Sequence, residues 1–137
     1  MAIKLKRLLK ENVSFESPDD TEVNYHNDLN RIEKESGINI LSDKNLSVLA
    51  IKDGRCIGAL YTGITGNEFS FDIIVDKNEQ NLGVGSKLFN IGMSEFRDLP
   101  DDYVLKLDVV NPHWVQHHLK RGLKIVNRIG NHTIMTL

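Results

Sequence analysis

A glycine-containing segment is the most informative part of this chain, and it reads Gln80-Asn81-Leu82-Gly83-Val84-Gly85-Ser86-Lys87. Before it, apolar and polar residues alternate over residues 68–75, which is the period-two pattern of a strand. After it, apolar residues recur at helical spacing from Val84 to Phe96, and this predicts an amphipathic helix that ends near Arg97. The segment therefore joins a strand to a helix.

The start of such a helix is a natural site for an anion. Its first N–H groups have no partner within the helix, and the positive end of the helix dipole adds to their attraction for negative charge. Gly83 and Gly85 lack the side chains that would hold a phosphate away from this backbone. We therefore expect a phosphate-containing ligand here, and the alternative is that the two glycines only form a tight turn.

The spacing of the glycines excludes two common nucleotide-binding motifs. A P-loop requires G-x-x-x-x-G-K-S/T, which does not occur in the chain, and a dinucleotide fingerprint requires a third glycine where Leu88 stands. The remaining pattern, Q-x-x-G-x-G, resembles the acetyl-CoA-binding motif of the GNAT N-acetyltransferase superfamily, whose usual form is R/Q-x-x-G-x-G/A.

A second segment strengthens this resemblance. The stretch after the strand-like run Tyr103–Val110 is similar to the GNAT pattern N-x-x-A-x-x-x-Y-x-x-x-G-F. Asn111, Gly122 and Leu123 occupy its Asn, Gly and Phe places without an insertion. The resemblance extends from about Ser47 to the C-terminus, and it implies an enzyme that transfers acetyl from acetyl-CoA to an amine.

The resemblance also implies a fold and a cofactor site. The fold is a single α/β domain over residues 1–137, with a mixed, mostly antiparallel sheet, a splayed parallel strand pair and flanking helices. In the splayed region, free backbone groups pair with the pantetheine arm of CoA as an added strand would. The residues expected to bind the cofactor are Ile74, Val75, Gln80, Asn81, Leu82, Gly83, Val84, Gly85, Ser86, Lys87 and Asn111.

Two residues depart from the family pattern. His118 stands where the family often has a tyrosine that protonates the leaving thiolate, and since a histidine can also donate a proton, we expect His118 to be the acid. Trp114 replaces the usual alanine, so this helix packs differently or narrows the cofactor channel. These departures support an alternative function, a CoA-binding module of the same fold with weak or no transferase activity.

An acceptor amine must lose its proton before it attacks, because an ammonium group has no lone pair. Asp72 and Glu68 alternate with the phenylalanine face of their strand, so each is a candidate base, and Asp108 on the neighbouring strand is a weaker one. A backbone N–H near Val75 is the expected donor to the developing oxyanion.

The histidines and the cysteine receive simpler interpretations. His113 and His117 lie one helical turn apart, but no third ligand accompanies them in a recognisable pattern, so no metal is expected. Cys56 is the single cysteine, which excludes an intramolecular disulfide and suits a reducing cytosol. We expect it to be a small buried residue and not a nucleophile.

The composition is that of an ordinary soluble protein of 137 residues, with 40% hydrophobic and 26% charged residues. Its 17 basic and 19 acidic side chains give a net charge of −2, so neither nucleic acid nor a membrane is an expected partner. Lys120 and Arg121 either form a solvated face or attract the phosphates of CoA.

Residues 1–10 contain no continuous apolar core, which predicts a cytoplasmic protein. The expected partner is an amine acceptor, a small molecule or a protein or peptide amine, and the protein is expected to be a monomer or a homodimer.

The remaining elements follow from local patterns. We expect a short strand near Ile3 and Leu5, and a helix from a cap at Ser17 to about Ser36. The other predicted elements are the strands Ser47–Lys52 and Cys56–Gly63 joined by a turn at Asp53-Gly54, a helix over Pro112–Arg121, and strands at Lys124–Ile129 and His132–Leu137.

Overall fold

The computed structural model describes residues 13–18, 25–36 and 44–137. The elements are β1 (Val13–Glu16), α1 (His26–Ser36), β2 (Asn45–Lys52), β3 (Arg55–Thr65), β4 (Glu68–Val75), a 3-10 helix (Lys77–Leu82), α2 (Val84–Arg97), β5 (Val104–Leu105), β6 (Leu107–Val109), α3 (Pro112–Lys120), β7 (Lys124–Ile129) and β8 (His132–Thr136).

The described strands form two sheets. A five-stranded sheet has the order β1-β2-β3-β4-β5, and a three-stranded sheet has the order β6-β8-β7. All pairs are antiparallel except β4 and β5, which run parallel and pair only at Glu68 with Val104 and at Phe69 with Leu105. This confirms the predicted fold class, with its mixed sheet, its parallel strand pair and its flanking helices.

The strand that was predicted from Tyr103 to Val110 is divided in two. β5 pairs with β4, whereas β6 leaves β4 and pairs with β8. The division lies at Lys106, whose N–H donates to the Phe69 carbonyl at 2.9 Å. The chain separates from β4 after this bond because β8 satisfies the backbone groups of β6, and a cleft opens between β4 and β6.

Helices pack against both faces of the five-stranded sheet. On one face, α2 and α3 cover Phe69, Phe71, Ile73 and Val75 through buried side chains that include Val84, Leu88, Phe89, Met93 and Val115. On the other face, α1 places the fully buried Ile32 against Leu49, Ala59 and Ile74. The alternation along β4 therefore sends odd-numbered side chains to the α2 face and Ile74 to the α1 face.

The local predictions were confirmed where turn chemistry is strong. Asp53 and Gly54 both have positive φ, 52° and 74°, as the turn between β2 and β3 requires. α2 ends at Arg97 as predicted.

The N-terminal predictions were less successful. α1 ends at Ser36 as expected, but Tyr25 is not helical, so no continuous helix runs from Ser17. Burial of Ile32 holds the helix against the sheet, and the cap signal at Ser17 follows directly after β1. β1 itself was missed, although Val13 and Phe15 alternate with polar residues. The strand predicted near Ile3 and Leu5 lies outside the described residues.

An ion-pair network ties α1 to the end of β4. Arg31 on α1 donates to the Asp76 carboxylate at 3.0 Å, and the other carboxylate oxygen of Asp76 accepts from Asn78 N–H at 2.9 Å. Asp76 therefore caps the 3-10 helix and anchors α1 at once. Within the described residues, no helix has both the length and the apolar character needed to cross a membrane.

Candidate active site

The predicted anion site lies at the start of α2. Between β4 and α2 the chain makes the 3-10 helix, so the strand does not turn directly into the α-helix. Gly83 is the N-cap of α2 with φ 73° and ψ 16°, and no side chain caps this helix end. The first N–H groups of α2 therefore remain open to an anion. The side chains of Gln80, Asn81 and Leu82 lie outside those that the structure describes.

Positions 83 and 85 require glycine for different structural reasons. Gly83 needs its left-handed backbone, and a methyl group at this position would meet no atom within 4 Å. Gly85 has no such backbone requirement, but a methyl group there would lie 2.7 Å from Cη2 of Trp114. Gly83 thus leaves open space beside the helix start, whereas Gly85 makes room for an indole.

A cation also lies at this helix start. Arg121, just after α3, donates from Nη2 to the Ser86 hydroxyl at 3.2 Å, and its guanidinium lies 5.6 Å from the centroid of the Phe89 ring. The same hydroxyl is 3.3 Å from Nε2 of His117. Arg121 therefore adds positive charge beside the start of α2, where the helix dipole is also positive.

The cleft between β4 and β6 lies next to this turn, because Trp114, one of its lining residues, packs against Gly85. The cleft has a part that contains the buried His118, called the deep part below, which is lined by Phe71, Asp72, Ile73, Leu107, Asp108, Val109, Val110, Asn111, Trp114 and His118. Its outer part is lined by Glu35, Ser36, Ile73, Val75, Lys77, Asn111 and Trp114. The cleft is the predicted splay of the parallel pair, since β4 and β6 form its two walls.

The hydrogen-bonding parity of β4 decides which residues present backbone groups to the cleft. Asn67 and Phe69 accept hydrogen bonds from β5 and its flank, and Asp76 N–H donates to the Ile57 carbonyl at 2.7 Å on the β3 side. The β3–β4 register is regular, so the alternation continues and the backbone of Ile73 and Val75 faces the cleft. Ile74 pairs with Ala59 instead. The structure therefore favours Ile73 over the predicted Ile74 as a residue that presents backbone groups to the cleft. The hydrogen bond between Lys106 and Phe69 identifies it, because every second residue of a strand faces the same side.

Asn111 lines both parts of the cleft and lies at their junction. Its side-chain oxygen accepts from His113 N–H at 2.9 Å, which makes Asn111 the N-cap of α3. The side-chain amide nitrogen makes no hydrogen bond with the part of the chain that the structure describes. One residue thus starts α3 and keeps a donor at the cleft.

His118 lies in the deep part of the cleft and is only 5% exposed. Its ring stacks on Phe89 with centroids 5.0 Å apart, and its Nδ1 is buried without a hydrogen-bond partner. Burial, assisted by His117 and Arg121, lowers the pKa of His118 to about 4. The ring is therefore neutral near pH 7, and its position suits the predicted role better than its charge does.

The two candidate bases occupy different places. Asp72 lines the deep cleft and forms an ion pair with Lys44 at 2.8 Å. Glu68 lies at the other end of β4, beside the parallel pair, and its carboxylate is 3.4 Å from Lys106 Nζ. The structure brings Asp72, but not Glu68, to the cleft that contains His118.

Sequence reasoning missed a carboxylate–imidazole pair on the opposite wall. Asp108 Oδ1 lies 2.8 Å from His132 Nδ1, and Asp108 lines the deep cleft. The two residues are 24 positions apart, and β6 and β8 bring them together by antiparallel pairing. No local pattern in the sequence connects them.

Cys56 is buried, and burial raises the pKa of its thiol to about 11, which is consistent with a structural role. The described residues contain no group of three or more His, Cys, Asp or Glu side chains arranged to hold a metal ion.

Comparison with protein-family models and with curated proteins gives no match for this sequence. Comparison with solved structures does give matches. A PaiA N-acetyltransferase from Thermoplasma acidophilum in complex with coenzyme A is similar, with 17% identity, a TM-score of 0.58 and coverage of 77% of this chain and 64% of that one.

Two further structures match over almost the whole of both chains. The ribosomal-protein-S18-alanine N-acetyltransferase from Escherichia coli has 17% identity and a TM-score of 0.64, with coverage of 91% of this chain and 92% of that one. Arabidopsis thaliana Naa50, in complex with a bisubstrate analogue, has 15% identity and a TM-score of 0.61, with coverage of 92% and 98%. The splayed cleft, the open helix start and these likenesses together show that the chain has the GNAT N-acetyltransferase fold.

Proposed function

We propose that this protein is an acetyl-CoA-dependent N-acetyltransferase that transfers acetyl directly to an amine. The observation that carries the proposal is the position of the cleft beside the uncapped start of α2, with the indole of Trp114 between them. A free strand edge that leads to an open, glycine-flanked helix start fits a ligand with an amide-containing arm and a pyrophosphate. CoA thioesters have both parts.

The phosphates are expected at the first N–H groups of α2, with Arg121 as the nearby cation. The pantetheine arm would then extend along β4, where Ile73 and Val75 offer backbone groups, and Asn111 would contact it from α3. This arrangement directs the thioester to the deep cleft, beside Asp72 and His118.

In the proposed transfer step, groups on this chain accept the proton of the amine and stabilise the developing charge. The amine nitrogen forms a bond with the acetyl carbonyl carbon, the carbon–sulfur bond breaks, and CoA leaves as a thiolate. Asp72 is the proposed acceptor of the proton that the amine loses, directly or through water. A cleft-facing backbone N–H of β4 is the proposed donor to the oxyanion.

His118 receives a modified role. Because burial lowers its pKa to about 4, few molecules carry a charged ring at neutral pH. A neutral imidazole can still donate a hydrogen bond from one nitrogen to the developing thiolate. The proton that finally converts the thiolate to CoA would then come from solvent, or from Asp72 after it has accepted the proton of the amine.

The neutral state of His118 favours the second candidate function, a CoA-binding module with weak or no transferase activity. A buried neutral ring at the place of the family's tyrosine is a poor proton donor at pH 7. The acceptor amine, whether of a small molecule or of a protein or peptide, is the expected partner in the first case only. One of the matched structures is named as a ribosomal-protein-S18-alanine N-acetyltransferase, and another is bound to the bisubstrate analogue CoA-Ac-MVNAL. Peptide N-termini are therefore the first acceptors to examine.

Two measurements test the proposal. Calorimetry should show binding of CoA and acetyl-CoA, with much weaker binding of nucleotides that lack the pantetheine arm, such as ADP. Mass spectrometry should then detect acetylated product when acetyl-CoA is supplied with a library of peptide and small-molecule amines. Binding of CoA without transfer to any amine would support the binding module, and equal binding of ADP and CoA would contradict a role for the β4 edge.

A further inference from the structure

The indole of Trp114 lies across the path between the helix start and the deep cleft. A methyl group at Gly85 would be 2.7 Å from its Cη2 and 3.0 Å from its Cζ2, so the tip of the ring touches the first turn of α2. The ring lines the deep part of the cleft and also the outer part. It therefore stands at the junction of the two.

Neighbouring rings hold the indole in this position. Trp114 packs edge-on against His117, with centroids 4.7 Å apart, and lies 5.7 Å from His118. Val75, at the end of β4, borders the same space, since its Cγ2 would be 3.5 Å from a methyl group at Gly85. The indole thus bridges the gap from α3 to α2 beside the cleft-facing end of β4.

Gly85 and Trp114 fit together as a pair. An alanine at position 85 would collide with the end of the indole, whereas the backbone of Gly85 would tolerate a side chain because its φ is not positive. The glycine is therefore required by the tryptophan and not by the helix. Such matched packing holds the ring at the helix start when no ligand is present.

We propose that Trp114 is the gate of the cofactor groove: its indole rests on Gly85 in the free protein and moves away when the pantetheine arm of a CoA thioester enters. This inference rests on the proposed function, because it concerns the same groove. Trp114 and Val75 both line the outer part of the cleft, so the ring occupies space that an arm paired with the Val75 backbone would enter, and in this proposal the open form alone binds. The apparent affinity is then the intrinsic affinity reduced by the open fraction.

The first experiment uses the intrinsic fluorescence of the protein. Trp114 is the only tryptophan in the chain, so the emission reports this ring alone. Addition of CoA should change the emission with a saturation curve that gives the same Kd as calorimetry. Trp114→Ala should increase the affinity for CoA about tenfold, as expected if about one molecule in ten is open.

A matched control and a second variant protect this test from effects on folding. Leu119→Ala removes a half-exposed apolar side chain from the same helix but does not touch the cleft, and it should leave the CoA affinity unchanged. Trp114→Leu keeps an apolar side chain on α3 that is too short to reach Gly85, and it should show the same gain as Trp114→Ala.

The second experiment moves the ring without a ligand. In Gly85→Ala the added methyl group should displace the indole, because the clash is with the far end of the Trp114 side chain and not with backbone. The emission of this variant without CoA should therefore shift towards that of the CoA-bound wild type. Gly66→Ala, at an open turn of the β3–β4 hairpin, should leave the emission unchanged.

The outcomes separate the gate from the proposed function. If wild type binds CoA with unchanged emission and Trp114→Ala binds it with the same Kd, the gate is wrong and the function stands. If neither protein binds CoA, the proposed function is wrong, and the proposal that Trp114 is a gate is wrong as well. An unchanged emission in Gly85→Ala would show that the ring does not rest on Gly85, and this alone would overturn the inference.

Discussion

In the proposed cofactor site, Gly83 is the residue on which binding of the phosphates would depend most directly. Gly83→Val should abolish CoA binding, because the side chain would project into the open space beside the helix start. The left-handed backbone of Gly83 also makes any side chain costly, by about 1–2 kcal/mol of stability. Gly66→Val is the matched control, since Gly66 has a φ of 63° and equally open surroundings at the opposite end of β4. Calorimetry that finds the same CoA affinity in a folded Gly83→Val protein would exclude this site.

His118 gives a prediction for the pH dependence of the rate. If only the charged ring protonated the thiolate, kcat/KM would fall as pH rises through the free-protein pKa, which is about 4. We therefore expect no alkaline limb from His118 between pH 6 and 8. His118→Tyr should increase the rate at neutral pH and introduce a limb near the ordinary tyrosine pKa of ~10. A limb near pH 6.5 that His118→Ala removes would show that the ring is charged in the reactive protein.

Asp72 and Glu68 form a natural pair for a test of the base. Asp72→Asn should lower kcat by about 10²-fold or more, the range for a positioned base, while the Kd for CoA stays unchanged. Glu68→Gln should keep the full rate, because Glu68 pairs with Lys106 away from the cleft. Steady-state kinetics with a fixed acceptor measures both. Equal rates in all three proteins would assign proton removal to water or to the substrate.

At the scale of elements, the important feature is a strand whose edge is open at one end only. β4 pairs with β5 as far as Phe69, and beyond that point its odd-numbered residues direct their backbone groups into the cleft. The hydrophobic alternation on the same strand was readable from the sequence and was confirmed, with Phe69 and Phe71 buried and Ser70 and Asp72 less so. Which backbone groups remain free depended on where β5 leaves β4, and this is a contact between distant segments.

Proline substitutions test the parity of β4. Val75→Pro removes an N–H that faces the cleft and should weaken CoA binding up to about tenfold, the value of one hydrogen bond, while the protein stays folded. Ile74→Pro removes an N–H on the β3 side, opposite Ala59, and should lower the melting temperature clearly. Thermal unfolding and calorimetry on both variants give the comparison. A reversal of the two effects would show that Ile74 is the residue that faces the arm.

At the scale of the whole molecule, the interface between α2 and α3 contains a buried histidine that must stay neutral. The folded-state pKa of His118 is about 4, below the ordinary value of 6.5. Between these two pH values the unfolded chain binds more protons than the folded one, so stability rises with pH. As pH falls from 7 to 4, this difference in proton binding lowers the free energy of unfolding by up to about 3 kcal/mol.

This linkage can be measured by denaturant unfolding at several pH values. His118→Phe keeps a ring against Phe89 but has no proton to bind, so its stability should depend less steeply on pH between 6.5 and 5. The pKa of His117 is lowered in the same direction, chiefly by burial, so some dependence should remain. Identical slopes in wild type and variant would show that His118 is not held neutral by the fold.

The sequence by itself determined the features that arise from neighbouring residues. The hairpin at Asp53-Gly54, the periodicity of β4 and α2, and the glycine-flanked helix start were all readable, because turn chemistry and side-chain period act over a few positions. The same local pattern, through Gly83 and the second motif at Asn111, indicated a fold that the structure confirmed.

Only the tertiary structure decided which side chains pack at this cleft and how they are charged. The indole of Trp114 rests on Gly85 across 29 positions of sequence, His118 is neutral because α2 buries it, and Asp108 meets His132 through strand pairing. The choice of Ile73 over Ile74 depends on the point at which β5 leaves β4. Each of these properties is set by contacts between segments far apart in the chain, and burial and pairing of that kind leave no periodic pattern that a linear reading can detect.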